Sequence, residues 1–178
     1  MRLFISINLC EASISELENW QQNLRSKGVK GYWRKKDNLH ITLRFLGEID
    51  PVDLPMLKES LKKSSGQIGR FELVLGGLGV FPNLANPRIL WTGIKNEPKL
   101  FTLQKSIEQN TKDFGKLENK KYTPHLTLAS GGIQGIEMST LKWGESLVLR
   151  EKVTGFYLMS SVVEKGIRKY VEIESYHT

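Results

Sequence analysis

The 178-residue chain is 39% hydrophobic and 25% charged, which fits a globular protein with a substantial core and excludes disorder, collagen and coiled coil. Its 26 Lys and Arg against 19 Asp and Glu leave a net charge of +7, a surplus suited to polyanions such as nucleic acid, nucleotides or phosphorylated metabolites without choosing among them. The single cysteine, Cys10, excludes an internal disulfide framework and any C-x-x-C zinc pair.

In chain order, Arg2 to Leu9 alternates as a strand, and Glu11 follows where a signal peptide would place small residues. The expectation is a cytoplasmic chain without an export signal; no apolar run approaches the roughly 18 to 20 residues that cross a bilayer, so no membrane partner is expected. Ser13 and Glu16 are spaced as a capping box ahead of Ile14, Leu17, Trp20 and Leu24, predicting a helix that closes near Gly28. Asn38 to Gly47 reads as a strand and Pro51 to Lys63 as a helix. Phe71 to Val80 is strand-like, Pro82 and Pro87 punctuate a loop, and Arg88 to Ile94 is a further strand. Pro98 opens a helix whose apolar positions Leu100, Leu103, Ile107 and Phe114 end at Gly115, and HLTLAS from His125 follows as a strand. Leu147 to Val163 and Lys169 to Ile173 flank Gly166 as a closing antiparallel hairpin.

These elements repeat. Strand, helix and H-x-T-L strand occur twice: His40 lies 38 residues after Arg2 (40 − 2), and His125 lies 37 after Arg88 (125 − 88). Two halves facing each other across an approximate twofold axis, with the histidine strands at the junction, account for the pattern as one folding unit over 1–178. Along a strand, His40 and Thr42 share one face, as do His125 and Thr127, while Ile41, Leu43, Leu126 and Leu128 point the other way. Two imidazoles supply a base and an acid near neutral pH, and the threonine hydroxyls can donate to phosphate oxygens. One H-x-T on a strand is most often a packed histidine. Two of only three histidines in matched tetrapeptides are hard to explain by packing alone.

The motifs NLHITLRFLGE (Asn38 to Glu48) and YTPHLTLAS (Tyr122 to Ser130), the segment FPNLANPRILWTGI (Phe81 to Ile94) and the pattern from Ser160 and Ser161 through Gly166 to Tyr170 resemble the 2H phosphoesterases. Within that group the likeness is to the bacterial and archaeal RNA 2′,3′-cyclic phosphodiesterases, formerly called 2′-5′ RNA ligases, and it spans nearly the whole chain. The resemblance implies an α+β fold of two pseudo-symmetric lobes, each an antiparallel sheet with outer helices, around a central cleft that carries both H-x-T motifs. It implies metal-independent hydrolysis, with no cofactor, of RNA 2′,3′-cyclic phosphate ends to 2′-phosphates, tRNA fragments being one source, and reverse 2′-5′ ligation at high product concentration. A monomer is expected. His40 and His125 would be catalytic, His125 as base and His40 as acid in roles that near-symmetry could exchange, and Thr42 and Thr127 would bind phosphate.

Many relatives carry a basic residue shortly after the second motif, where this chain has Ser130. Arg44, four residues beyond His40 and so on its face in a regular strand, is a candidate replacement, with a solvated strand-end arginine as the alternative. Phe45 matches an aromatic suited to base stacking, yet regular alternation turns it toward the core unless the strand bulges. Arg88 resembles a family position and could meet a phosphate, with an ordinary surface arginine as the alternative, and Trp33 and Trp91 are further stacking candidates or core residues. KGVKGYWRKK from Lys27 to Lys36 could guide RNA, though a solvated loop explains such runs more often, and His177 reads as a mobile surface residue. No glycine-rich segment matches a phosphate loop, so ATP is not implied. Three rivals stand beside this reading: a 2H enzyme for 2′-5′ oligonucleotides or small cyclic phosphates, an RNA-binding module without turnover, and a metal hydrolase. The last lacks a third ligand for a catalytic zinc.

Overall fold

The computed structural model describes residues 1–116 and 121–178. Among these described residues there are nine strands and four α-helices. In order they are β1 (Arg2–Asn8), α1 (Glu11–Ser26), β2 (Lys30–Trp33), β3 (His40–Glu48), α2 (Leu54–Lys62), β4 (Phe71–Phe81), β5 (Ile89–Ile94), α3 (Pro98–Asn110), β6 (His125–Gln134), α4 (Met138–Gly144), β7 (Val148–Val153), β8 (Gly155–Glu164) and β9 (Ile167–His177).

All pairings are antiparallel, in the order β7-β4-β5-β6-β3-β1-β8-β9, with β2 added on β6. The order is symmetric about the β6/β3 junction, which is a single residue pair, Ile41 with Leu126. Each half is therefore a four-stranded sheet, β9-β8-β1-β3 or β7-β4-β5-β6. Only Thr154 separates β7, at one end of the path, from β8 near the other, so the sheet curls until its ends approach behind the junction. Glu151 of β7, buried, accepts the backbone N–H of Cys10 after β1 at 3.2 Å and ties the two halves there.

The helices cover one face of this curled sheet. Leu17, Trp20 and Leu24 of α1, Leu57 and Leu61 of α2, and Leu100, Leu103 and Ile107 of α3 recur at helical spacing and are buried with Leu3, Ile5, Ile7, Ile41, Leu43, Leu126 and Leu128 of the strands. Burial of each such side chain contributes on the order of 1.5–3 kcal/mol, so this layer carries the fold. Gly115 ends the turn after α3 at φ 65°, and a Cβ there would sit 2.0 Å from the Leu46 carbonyl oxygen, so only glycine lets that turn approach β3.

Four expectations change. α1 begins at Glu11 with extended Cys10 as its cap, so Ser13 lies inside the first turn, buried, and Glu16 accepts from Trp20 Nε1 at 2.7 Å instead of closing a capping box. The long final strand breaks at Thr154 because its two parts pair in different halves. His177 is exposed but paired with Gly155 at the end of β9, and its carbonyl accepts the N–H of Gly66 at 3.0 Å, so it is anchored to the sheet. Short β2 and α4 went unseen, being too brief for a periodic signal.

Candidate active site

At the junction, the Ile41–Leu126 pair turns both side chains into the helix-covered core, where each is fully buried. One step along each strand, His40, Thr42, His125 and Thr127 consequently face the opposite, uncovered side. Antiparallel counting sets His40 across from Thr127 and Thr42 across from His125, leaving the two imidazoles as diagonal neighbours. In a regular ladder such diagonals stand about 7–8 Å apart, which leaves room for a phosphoryl group between them. Tyr122, pushed above the usual phenol range by burial, donates to the Thr42 carbonyl at 3.0 Å and locks the approach to the second motif onto the first.

The strand alternation then breaks in the same way twice. Ile5 pairs with Arg44 but Ser6 with Thr42, so Leu43 is an extra residue; Leu90 pairs with Ala129 but Trp91 with Thr127, so Leu128 is its counterpart. Each bulge buries the fourth residue after the histidine and returns the fifth to the cleft face. Arg44 is thus corrected: it is 7% exposed, and its guanidinium donates to Thr111 and to the Phe114 carbonyl (2.8 Å) at the end of α3, where a cation complements the helix dipole. Burial lowers its pKa, opposed by Glu108. Phe45, 37% exposed, takes the cleft position that alternation had denied it, and Arg2 lies over its ring at 5.0 Å. Ser130 occupies the matching place in the second half.

The two histidines share a hydrogen-bonding scheme and differ in surroundings. His40 Nδ1 donates to the Asn38 carbonyl at 3.0 Å and His125 Nδ1 to the Thr123 carbonyl at 2.8 Å, so each ring turns Nε2 toward the cleft. His40 packs between Phe4 (4.9 Å between centroids) and Tyr170 (5.1 Å). Desolvation there holds its pKa down at about 4; the Asn38 bond opposes this, while Arg34 and His125 add to it. Neutral His40 with a protonated Nδ1 has a lone pair on Nε2, which accepts from the Thr42 hydroxyl at 3.2 Å. His125 meets Phe81 (5.2 Å) and Trp91 (6.2 Å) on its own side; Trp91 crosses β4 at Gly79, where a Cβ would lie 2.2 Å from the indole.

A cavity of about 260 Å³ opens beside His40, lined by Arg2, Phe4, Arg34, Thr42, Phe45, Ser161, Arg168 and Tyr170. Its walls come from the first half and the final hairpin. Arg34, Tyr170 and Arg168 were not singled out from sequence; the only signals were the basic run and the closing pattern that contain them. Trp33 is covered by Arg25 at 5.0 Å and packs on the core, which removes one ring face from stacking. Arg88 is exposed ahead of β5, and its carbonyl accepts from Gly131 at 2.9 Å. Among the described residues, no helix is long and apolar enough to cross a membrane.

The fold and motifs have known counterparts. A family model described as LigT-like phosphoesterase matches residues 7–91. An RNA 2′,3′-cyclic phosphodiesterase of Methanocaldococcus jannaschii is 35% identical over 128 residues, 72% of this chain and 70% of that protein. Its namesake in Archaeoglobus fulgidus is 33% identical over 129 residues, 72% of this chain and 71% of that protein. In fold the chain is similar to E. coli LigT complexed with 3′-AMP, with a TM-score of 0.82 at 23% identity, over 99% of this chain and 97% of that one.

Proposed function

The chain belongs to the LigT-like 2H phosphoesterases, a family of hydrolases, and from that footing we propose that it opens 2′,3′-cyclic phosphate ends of RNA to 2′-phosphates with its two histidines and without a metal. The observation that carries the reading is the paired orientation of the two motifs about Ile41 and Leu126, with both Nε2 atoms on the uncovered face. A water attacks phosphorus and gives its proton to one Nε2; the P–O3′ bond breaks, and the other imidazole gives its proton to O3′. Thr42 and Thr127 donate to the non-bridging oxygens, where charge grows in the transition state.

Burial favours His40 as the base and His125 as the acid, the exchange of the roles carried by the resemblance. With a pKa of about 4, His40 would be protonated in only about one molecule in a thousand at pH 7, a heavy cost for an acid. A base weakened by the same shift loses only part of it in rate, by Brønsted behaviour. Phe45 with Arg2 above it forms a flat cationic platform suited to a terminal base. The uncovered cleft and the +7 charge suit an RNA strand, tRNA fragments included. Joining of 2′-phosphate and 5′-hydroxyl ends is the same chemistry run backwards at high end concentration.

The test is product analysis on a 2′,3′-cyclic-phosphate oligomer in excess EDTA. Wild-type protein yields the 2′-phosphate, and His40→Ala and His125→Ala each lose about 10²- to 10⁴-fold in rate. A substrate with sulfur in place of O3′ needs no acid, so it restores His125→Ala selectively. Restoration of His40→Ala would return the roles to the other order, and full activity in both variants would refute the mechanism.

A further inference from the structure

Three arginines line the cavity beside His40, and two of them are engaged: Arg2 lies over Phe45, and Arg168 donates to Ser161 at 3.0 Å. Arg34 differs, since among the described residues its guanidinium makes no hydrogen bond, ion pair or contact over an aromatic ring, while its backbone is held firmly. Its N–H donates to the Leu128 carbonyl at 2.9 Å. Its own carbonyl accepts from Gln21 Nε2 at 2.9 Å, and the same amide nitrogen donates to Leu128 at 3.0 Å. Gln21 is 3% exposed, so a buried side-chain amide clamps β2 to β6 at this point.

The position follows from the edge of β6. Leu126 pairs with Ile41 of β3, and Leu128 bonds to Arg34 just beyond β2, so the two neighbouring strands bracket Thr127 where they part. From that notch the Arg34 side chain reaches the cavity shared by His40 and Thr42. It thus stands between the two motifs, with a backbone fixed to the second and a cation presented to the first. In the second half the cleft position after the bulge is Ser130, which brings no charge.

We propose that Arg34 is the cation that binds the substrate phosphate between the two histidines, and that Gln21 is a positioning residue that holds it there. The proposal rests on the cyclic phosphodiesterase reading for its substrate. A planar guanidinium can donate two parallel bonds to a phosphate, and a half-buried one does so with less screening by solvent. Arg34 also contributes to the low pKa of His40, so its charge reaches that ring.

The experiment measures kcat and KM on a 2′,3′-cyclic nucleotide and calorimetric affinity for a nucleoside 2′-monophosphate, with thermal melts as a control. Arg34→Ala should lose about 10- to 100-fold in kcat/KM and in 2′-monophosphate affinity, the loss of a charge-assisted contact, with its melting temperature retained. Arg34→Lys should recover part of both, and the acid limb of the Arg34→Ala pH profile should move upward as His40 is relieved. Gln21→Leu should lose phosphate affinity too, with no further loss when combined with Arg34→Ala. Arg34→Ala within about threefold of wild type in 2′-monophosphate affinity overturns the proposal. If wild-type protein turns over no cyclic phosphate, the enzymatic reading fails by itself, and the affinity comparison still decides the role of Arg34.

Discussion

His40 and His125 occupy the same place in two copies of one backbone plan, with the same Nδ1 bond to a carbonyl two residues upstream and the same bulge three residues downstream. Their neighbours differ. The first ring is enclosed by Phe4 and by Tyr170 of the final hairpin, and the enclosed part of the cleft lies on its side; the second has Phe81 and Trp91 and does not line that cavity. Duplication supplies two imidazoles in one backbone setting, and the enclosure of the first desolvates His40 and holds its pKa down. In this molecule the asymmetry comes from the outermost strands: Tyr170 of β9 packs on His40, whereas β7, the counterpart of β9 in the other half, carries no aromatic residue to pack on His125.

The largest way to break the comparison is to open the enclosure. Tyr170→Ala admits water to His40, so its pKa should rise from about 4 toward the ordinary value and carry the acid limb of kcat/KM with it. At pH 5 the variant should retain roughly a tenth of the wild-type rate while matching it near pH 8. An acid limb that stays near pH 4 in both proteins would show that Tyr170 does not set the asymmetry.

Stability carries the same signature. His40 binds its proton at about 4 when folded and near 6.5 when unfolded, so the unfolded chain holds more protons between these values. The contribution is fully present above pH 6.5 and is lost as pH falls toward 4, by at most about 3 kcal/mol. Denaturant titrations at pH 7 and pH 4.5 should therefore diverge more for wild type than for His40→Gln; equal divergence would contradict the assigned burial.

Arg44 and Ala129 are the matched residues of the two bulges, and only one carries a charge. Arg44→Ala removes the donors to Thr111 and Phe114 and should cost on the order of 2–3 kcal/mol in chemical denaturation, with the rate per folded molecule unchanged. A lost rate at full folding would return Arg44 to the cleft. The smallest effect is expected at Phe45: replacement by Ala should raise KM about tenfold for a cyclic-phosphate oligomer, the cost of one stacked base, and leave kcat close to wild type.

Much of this was legible in the chain itself. The two H-x-T-L segments, their spacing and the alternation around Ile41 and Leu126 placed four cleft residues correctly, because a strand's period of two carries facing information locally. The same rule misplaced Arg44 and Phe45, because Leu43 adds one residue that no composition or propensity marks. Arg34 escaped notice for another reason. Its place depends on pairing with Leu128, 94 residues away in sequence (128 − 34), and on Gln21, a buried polar residue beside the apolar stripe of α1 that the helical period does not mark. Long-range register of this kind leaves no periodic trace.

The repeated bulge separates two kinds of risk onto adjacent residues. A change at Arg44 or Ala129 acts on the interior, whereas one residue later, at Phe45 or Ser130, it acts on whatever the protein meets. Ser130 is then a vacant port: a longer side chain installed there could retune ligand preference while the interior stays as it is, a freedom that an unbroken zigzag of backbone would not offer.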